Sequence, residues 1–179
     1  DTGFPKDGKS SPGVTRQYSG TLGKVANCQI GVSLHAVGFS ATQPLGFSLY
    51  LPKEWCDDDK RRRTAKIPDE VTFKTKHELA ADLIQEAASW SIQKHPVLAD
   101  QAYGDSSAFR ARLDALERPY VLSIGPTTGL FPAETVFSLP ARRAQEGRAP
   151  SVRRPDREHE SAEALAGGLS GESFRQITF

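Results

Sequence analysis

At 179 residues the chain is long enough for one domain with a real core and short for two. Hydrophobic residues make up 37% and charged residues 25%, and no apolar run approaches the 18 residues a membrane helix needs, so a soluble globular chain is expected. A net charge of +1 leaves the class of partner open, while two cysteines and four scattered histidines give neither a disulfide framework nor a metal cage.

The chain opens on Asp1 and contains no methionine, as expected of a piece of a longer product. Residues Asp1 to Gly23, rich in Gly, Ser, Lys and Pro, read as a loop leaving a strand that the chain lacks. From Asn27 to Val37, Cys28, Ile30, Val32 and Leu34 alternate on one face, which predicts a half-buried strand. Leu45, Phe47, Leu49 and Leu51 repeat the alternation, and the short connection suits an antiparallel pair. Asp57 to Arg63 puts acids before bases and predicts a short helix matched to its dipole. Leu79, Leu83, Ile84, Ala87 and Trp90 share one face of the strongest helix, Lys76 to Trp90.

Pro96 to Ala99 then reads as a short buried strand delivering Asp100 to the carboxyl edge of a sheet, where open α/β folds place their chemistry. Asp105 or Ser106 can cap a helix from Ser107 to Glu117, Asp105 being read as a cap and not a ligand, and Pro119 to Ile124 makes another buried strand. Pro140 to Glu160 has no periodicity and reads as a mobile insertion, its six arginines between 142 and 157 facing two acids. Such a patch neutralises phosphates or is merely solvated. Ala162 to Leu169 suggests a short helix, and Phe174 to Phe179 a strand. The order is that of an α/β, ribonuclease H-like mixed sheet: a three-strand antiparallel meander, its first strand missing, then two parallel strands with crossover helices. In that arrangement the first and fourth strands are neighbours. Asp1 and Asp100 then converge as half of a divalent-metal site, a geometry for cutting phosphodiesters. Phosphorylation of an N-terminal aspartate would require a second acid where Gly3 stands.

Five segments in register carry a resemblance: Asp1 to Lys6 with Gly8, Arg16 to Lys24, Asn27 to Gln29, Leu51 to Trp55, and Asp100 to Gly104. Together they resemble the DDE superfamily endonuclease domain of bacterial insertion-sequence transposases, from residue 1 to about 128. The resemblance implies a catalytic core over 1–128, an insertion over 129–179, and metal-dependent cleavage and strand transfer on double-stranded DNA. It also implies a cytoplasmic, nucleoid-associated protein that forms a homo-oligomer at full length, with no membrane partner. Three acids would hold two Mg²⁺ ions, Mn²⁺ being an alternative, one activating water or a 3′-hydroxyl and the other stabilising the leaving oxygen.

By this resemblance Asp100 matches the second acid. Family members show two adjacent acids before Thr-Gly, so the first ligand is Asp1 or the position before it. The third is a glutamate on a helix that none of Glu134, Glu158, Glu160, Glu163 and Glu172 matches. The chain alone is therefore expected to have negligible nuclease activity. Lys6, Lys9, Arg16 and Lys24 form a basic stretch that binds DNA phosphates or is solvated. The competing reading is a remnant that binds DNA or a partner protein without chemistry.

Overall fold

The longest alternating run of the sequence becomes the centre of a four-stranded antiparallel sheet. The computed structural model describes residues 1–90, 93–141 and 151–173. The sheet comprises β1 (Thr2–Pro5), β2 (Thr15–Ser19), β3 (Lys24–Val37) and β4 (Thr42–Tyr50). Pro5 and Thr15 both lie opposite Cys28, and Gly3 and Tyr50 both lie opposite Ile30. Thus β1 runs along one edge of β3, while β2 and then β4 share the other. Cys28, Ile30 and Val32 are each 2% exposed or less, as their alternation predicts.

Two expectations for this sheet are corrected. Asp1 to Gly23 is not simply a loop: it contains β1 and β2, so the edge expected to be empty carries Thr2–Pro5. Neither strand has a long apolar alternation of its own, and each is defined by the hydrogen bonds β3 offers it. The facing of β4 is also reversed. Leu34, Val32 and Ile30 stand opposite Gly46, Ser48 and Tyr50, so that set shares the covered face. Phe47 and Leu49 turn outward, 57% and 39% exposed. The main helix packs closely there: the site of a Cβ on Gly46 lies 2.8 Å from the Leu83 side chain.

After Tyr50, α1 (Lys53–Cys56) and α2 (Asp59–Thr64) form a satellite core with Val14, Leu51 and Trp55. Trp55 is fully buried, donates from Nε1 to the Val14 carbonyl at 2.8 Å, and carries the Arg61 guanidinium 3.6 Å above its ring. Asp58 caps α2, as its acid-before-base order suggests. The main helix, α3 (Lys76–Ser89), starts with a reciprocal capping box between Thr75 and Glu78. It buries Ala81, Leu83, Ile84 and Ala87, while Trp90, expected on that face, is half-exposed at the helix end.

Beyond α3 come β5 (Val97–Ala99), α4 (Gln101–Gly104), α5 (Ser107–Ala115) and β6 (Tyr120–Leu122). Parallel pairing of β5 with β6, Val97 opposite Tyr120, matches the expected crossover. Ser106, and not Asp105, caps α5. Tyr103, Phe109 and Leu113 pack with Ala81 and Ile84 into the principal core. The parallel pair is a separate two-stranded sheet, so the expected ladder between the first strand and the Asp100 strand is not formed. The fold is mixed α/β, with packing through α3 in place of one continuous sheet.

Part of the patternless stretch is paired. Here β7 (Gly129–Leu130), β8 (Phe137–Ser138), β9 (Arg154–Pro155) and β10 (Glu160–Ser161) make two minimal antiparallel ladders, β7 with β10 and β8 with β9. Two-residue strands leave no periodicity to read. A short helix, α6 (Ala162–Gly167), follows where one was expected. Arg142, Arg143 and Arg148 of the basic patch and the Phe174–Phe179 strand lie outside the described residues. Among the described residues no helix is long and apolar enough to cross a membrane.

Candidate active site

Asp100 stands where β5 stops. Its carboxylate Oδ1 accepts from the Ala102 backbone N–H at 3.0 Å and its carbonyl accepts from Gly104 at 2.9 Å, so the residue is the N-cap of α4. A capping aspartate leaves the helical path while its side chain is held beside the first turn, which fixes the acid at the strand–helix junction. Asp1, 99 positions earlier, sits immediately before β1. It directly precedes the first described strand.

Both acids line one cavity of about 160 Å³, whose wall also includes Ser33, Leu34, Ile84 and Tyr103. They reach it without the strand pairing that the sequence expectation invoked. A residue the sequence reading passed over pairs with the first of them. Lys76 Nζ donates to Asp1 Oδ2 at 2.5 Å and lies 5.8 Å from the centroid of the Tyr50 ring. Partial burial pushes the Lys76 ammonium below the usual lysine range, opposed by the Tyr50 phenol, the Cys28 thiol and the Asp100 carboxylate. The available signal was a cation in the first turn of a helix, against the dipole.

Tyr103 is 7% exposed, and its hydroxyl has no hydrogen-bond partner among the described residues. Burial, and secondarily the Asp100 charge, push its pKa up to about 12, so it stays a protonated donor at neutral pH. A buried donor without an acceptor is costly unless something else accepts from it. Mg²⁺ is commonly bound by one or two carboxylates plus substrate phosphates, and Asp1 and Asp100 are the two carboxylates lining this cavity. Among the described residues no group of three or more His, Cys, Asp and Glu is arranged to hold a metal, so two acids are what the cavity provides.

The four basic residues do not line this cavity. Lys6 and Arg16 are exposed around Asn27: the Lys6 N–H donates to the Asn27 carbonyl at 3.0 Å, and Arg16 lies opposite Asn27 in the ladder. Lys24 is exposed at the start of β3, and the Lys9 carbonyl accepts from Arg61 at 3.2 Å. They are strung along the β1–β3 edge and the β2–β3 hairpin.

Asp105 is a brace where a helix cap was expected. Its Oδ1 accepts from Thr128 Oγ1 at 2.7 Å and Gly125 N–H at 2.9 Å, and its Oδ2 from Gln101 at 3.0 Å, tying α4 to the chain beyond β6. These donors, the Thr128 hydroxyl first, hold its carboxyl below the usual aspartate range. A depressed carboxylate contributes stability that is present above its ordinary value of 3.8 and is lost as the pH falls through the lower folded value. Asp105→Ala is expected to lower the melting temperature at pH 7, with the gap from wild type closing below pH 3.8. Equal melting temperatures at pH 7 would refute the brace.

The family model described as DDE superfamily endonuclease matches residues 1–179. A curated protein of Microchaete diplosiphon, "Probable transposase for insertion sequence element IS701", is 34% identical over 125 residues, 69% of this chain and 30% of that protein. The chain thus spans under a third of that relative's length. No solved structure matches the chain. With a family model matched from its first residue to its last, the chain belongs to the DDE superfamily of endonucleases.

Proposed function

We propose that the chain is the catalytic-core portion of a bacterial insertion-sequence transposase, cleaving and joining phosphodiesters of double-stranded DNA with Mg²⁺ or Mn²⁺. In this reading residues 1–128 are a ribonuclease H-like core and 129–179 an insertion. The protein works as a homo-oligomer in the bacterial cytoplasm. The observation that carries the reading is that Asp1 and Asp100, 99 positions apart, line one cavity with Tyr103, whose buried hydroxyl has no partner among the described residues.

When bound, a divalent cation supplies Lewis-acid stabilisation of the phosphoryl oxygens and a nucleophile at neutral pH. Asp100 and Asp1 would hold it. Asp100 is pre-positioned by its cap, which costs no further ordering of that side chain. Tyr103 donates to an oxygen in the cavity, and its packing against His77 and Phe109, ring centroids 5.3 and 5.4 Å away, keeps that hydroxyl in place. Lys6, Lys9, Arg16 and Lys24 contact DNA phosphates and contribute affinity without sequence choice.

Supplying the full-length transposase with double-stranded DNA bearing its element's ends tests this. Cleavage that leaves 3′-hydroxyl ends, requires Mg²⁺ or Mn²⁺ and stops with EDTA is the expected result. End-specific binding with no cleavage under any divalent cation would instead favour the non-catalytic remnant, the reading suited to a cavity with two acids.

A further inference from the structure

Lys76 is the first helical residue of α3, directly after the Thr75 cap. A cation there meets the positive end of the helix dipole, so local helix physics works against it. The tertiary structure supplies the compensation. The ammonium is 2.5 Å from Asp1 Oδ2 and 5.8 Å from the Tyr50 ring centroid, with the side chains of Lys76 and Asp1 only 33% and 22% exposed. This is a partly desolvated pair on one of the two acids that line the cavity, unlike the exposed pairs elsewhere, such as Lys94 with Glu117 at 57% and 82%.

We propose that Lys76 is the resident counter-ion of the two-acid cavity: its ammonium occupies the Asp1 carboxylate in the cation-free protein and must leave before Asp1 can coordinate a divalent metal. Lys76 thereby sets the cavity's affinity for divalent cations. The inference rests on the assignment of Asp1 and Asp100 as ligands. Its physical basis is competition for one oxygen. An ammonium hydrogen-bonded to Oδ2 and a metal ion on the same carboxylate would stand a few ångströms apart as like charges. The four-carbon stem of lysine allows the head group to leave without moving the helix.

The experiment is Mn²⁺ binding to the full chain without DNA, followed by the electron paramagnetic resonance of free Mn²⁺. Wild type would be compared with Lys76→Met, Lys76→Gln, Lys76→Arg, Asp1→Asn and Asp100→Asn. Lys76→Met, similar in length but uncharged, is expected to bind at least about tenfold tighter than wild type, a change of about 1.4 kcal/mol. Lys76→Arg should bind no tighter than wild type, and Lys76→Gln reports in place of Met if that variant does not fold.

Unchanged or weaker affinity in both neutral variants, with binding still lost in Asp100→Asn, would overturn the counter-ion role while leaving the ligand assignment standing. Wild-type affinity in both Asp1→Asn and Asp100→Asn would sink the ligand assignment and the proposal together. Absence of Mn²⁺ binding in every variant would overturn it too, since a released carboxylate pair should bind.

Discussion

Asp100→Asn in the full-length transposase is expected to reduce DNA cleavage by about 10²–10³-fold or more, with DNA binding and melting temperature nearly unchanged. The separation arises because the cap and the proposed ligand role have different chemical requirements. As N-cap of α4 it needs only a side-chain oxygen that accepts from the Ala102 N–H, and asparagine caps about as well as aspartate. As a ligand for a hard divalent cation it needs the negative carboxylate, which an amide cannot replace. Metal assistance contributes several kcal/mol to phosphoryl chemistry, and each 1.36 kcal/mol is about tenfold in rate, so losing three or four of them gives roughly the stated range. Single-turnover cleavage and thermal melting of the same preparation check it. Cleavage within about threefold of wild type would show that the acid only caps the helix.

Gly104→Ala should be the most damaging single methyl near the site. A Cβ at residue 104 would lie 1.8 Å from the Ser123 carbonyl oxygen, 2.9 Å from its carbon and 3.1 Å from Leu122 Cβ. The obstacle is backbone, and it cannot rotate away as a flexible side chain would. Ser123 is itself held, its N–H donating to the Ala99 carbonyl at 3.1 Å next to the parallel ladder. Relief therefore requires α4 to lift from β6, dragging the Asp100 cap and the buried Tyr103 with it. Overpacking commonly costs 1–3 kcal/mol, and a backbone clash belongs at the upper end, about 3 kcal/mol or more. For a chain of this size that corresponds to a melting temperature about 6–12 °C lower. A loss under about 2 °C would mean that α4 and β6 are not packed as closely as described.

The long elements were legible because each carries its own period. Cys28, Ile30 and Val32 announce β3, and the apolar face from Leu79 to Ala87 announces α3. Asp58 and Ser106 announce helix starts. Strands β1, β2 and β7 to β10 were not legible. They are short, polar or glycine-rich, and exist because a partner strand offers hydrogen bonds from elsewhere in the chain. The orientation of β4 was misread for a related reason: apolar residues on one parity normally mark the buried face, but here Leu83 of the main helix packs directly on Gly46 of the other parity. Phe47 turns outward instead, over Gly31 and edge-on to Phe4 at 6.2 Å between ring centroids.

At the site the division is equally physical. Asp100 stood out as a candidate because an apolar strand ending in an acid before a helix is a local pattern. Asp1 was identifiable only as a motif residue, and its strand follows it. Lys76, Tyr103 and the bracing role of Asp105 were decided by distance in space. A lysine in a helix's first turn, a tyrosine in a short helix and an aspartate between helices are ordinary residues until the fold sets them against Asp1, the cavity and the Thr128 hydroxyl. Sequence by itself determined the family, the principal helix and central strand, and the acid at the end of β5, since these depend on local order and spacing. Only the tertiary structure decided which charges share a cavity, because electrostatic and steric neighbours are set by packing across tens of residues.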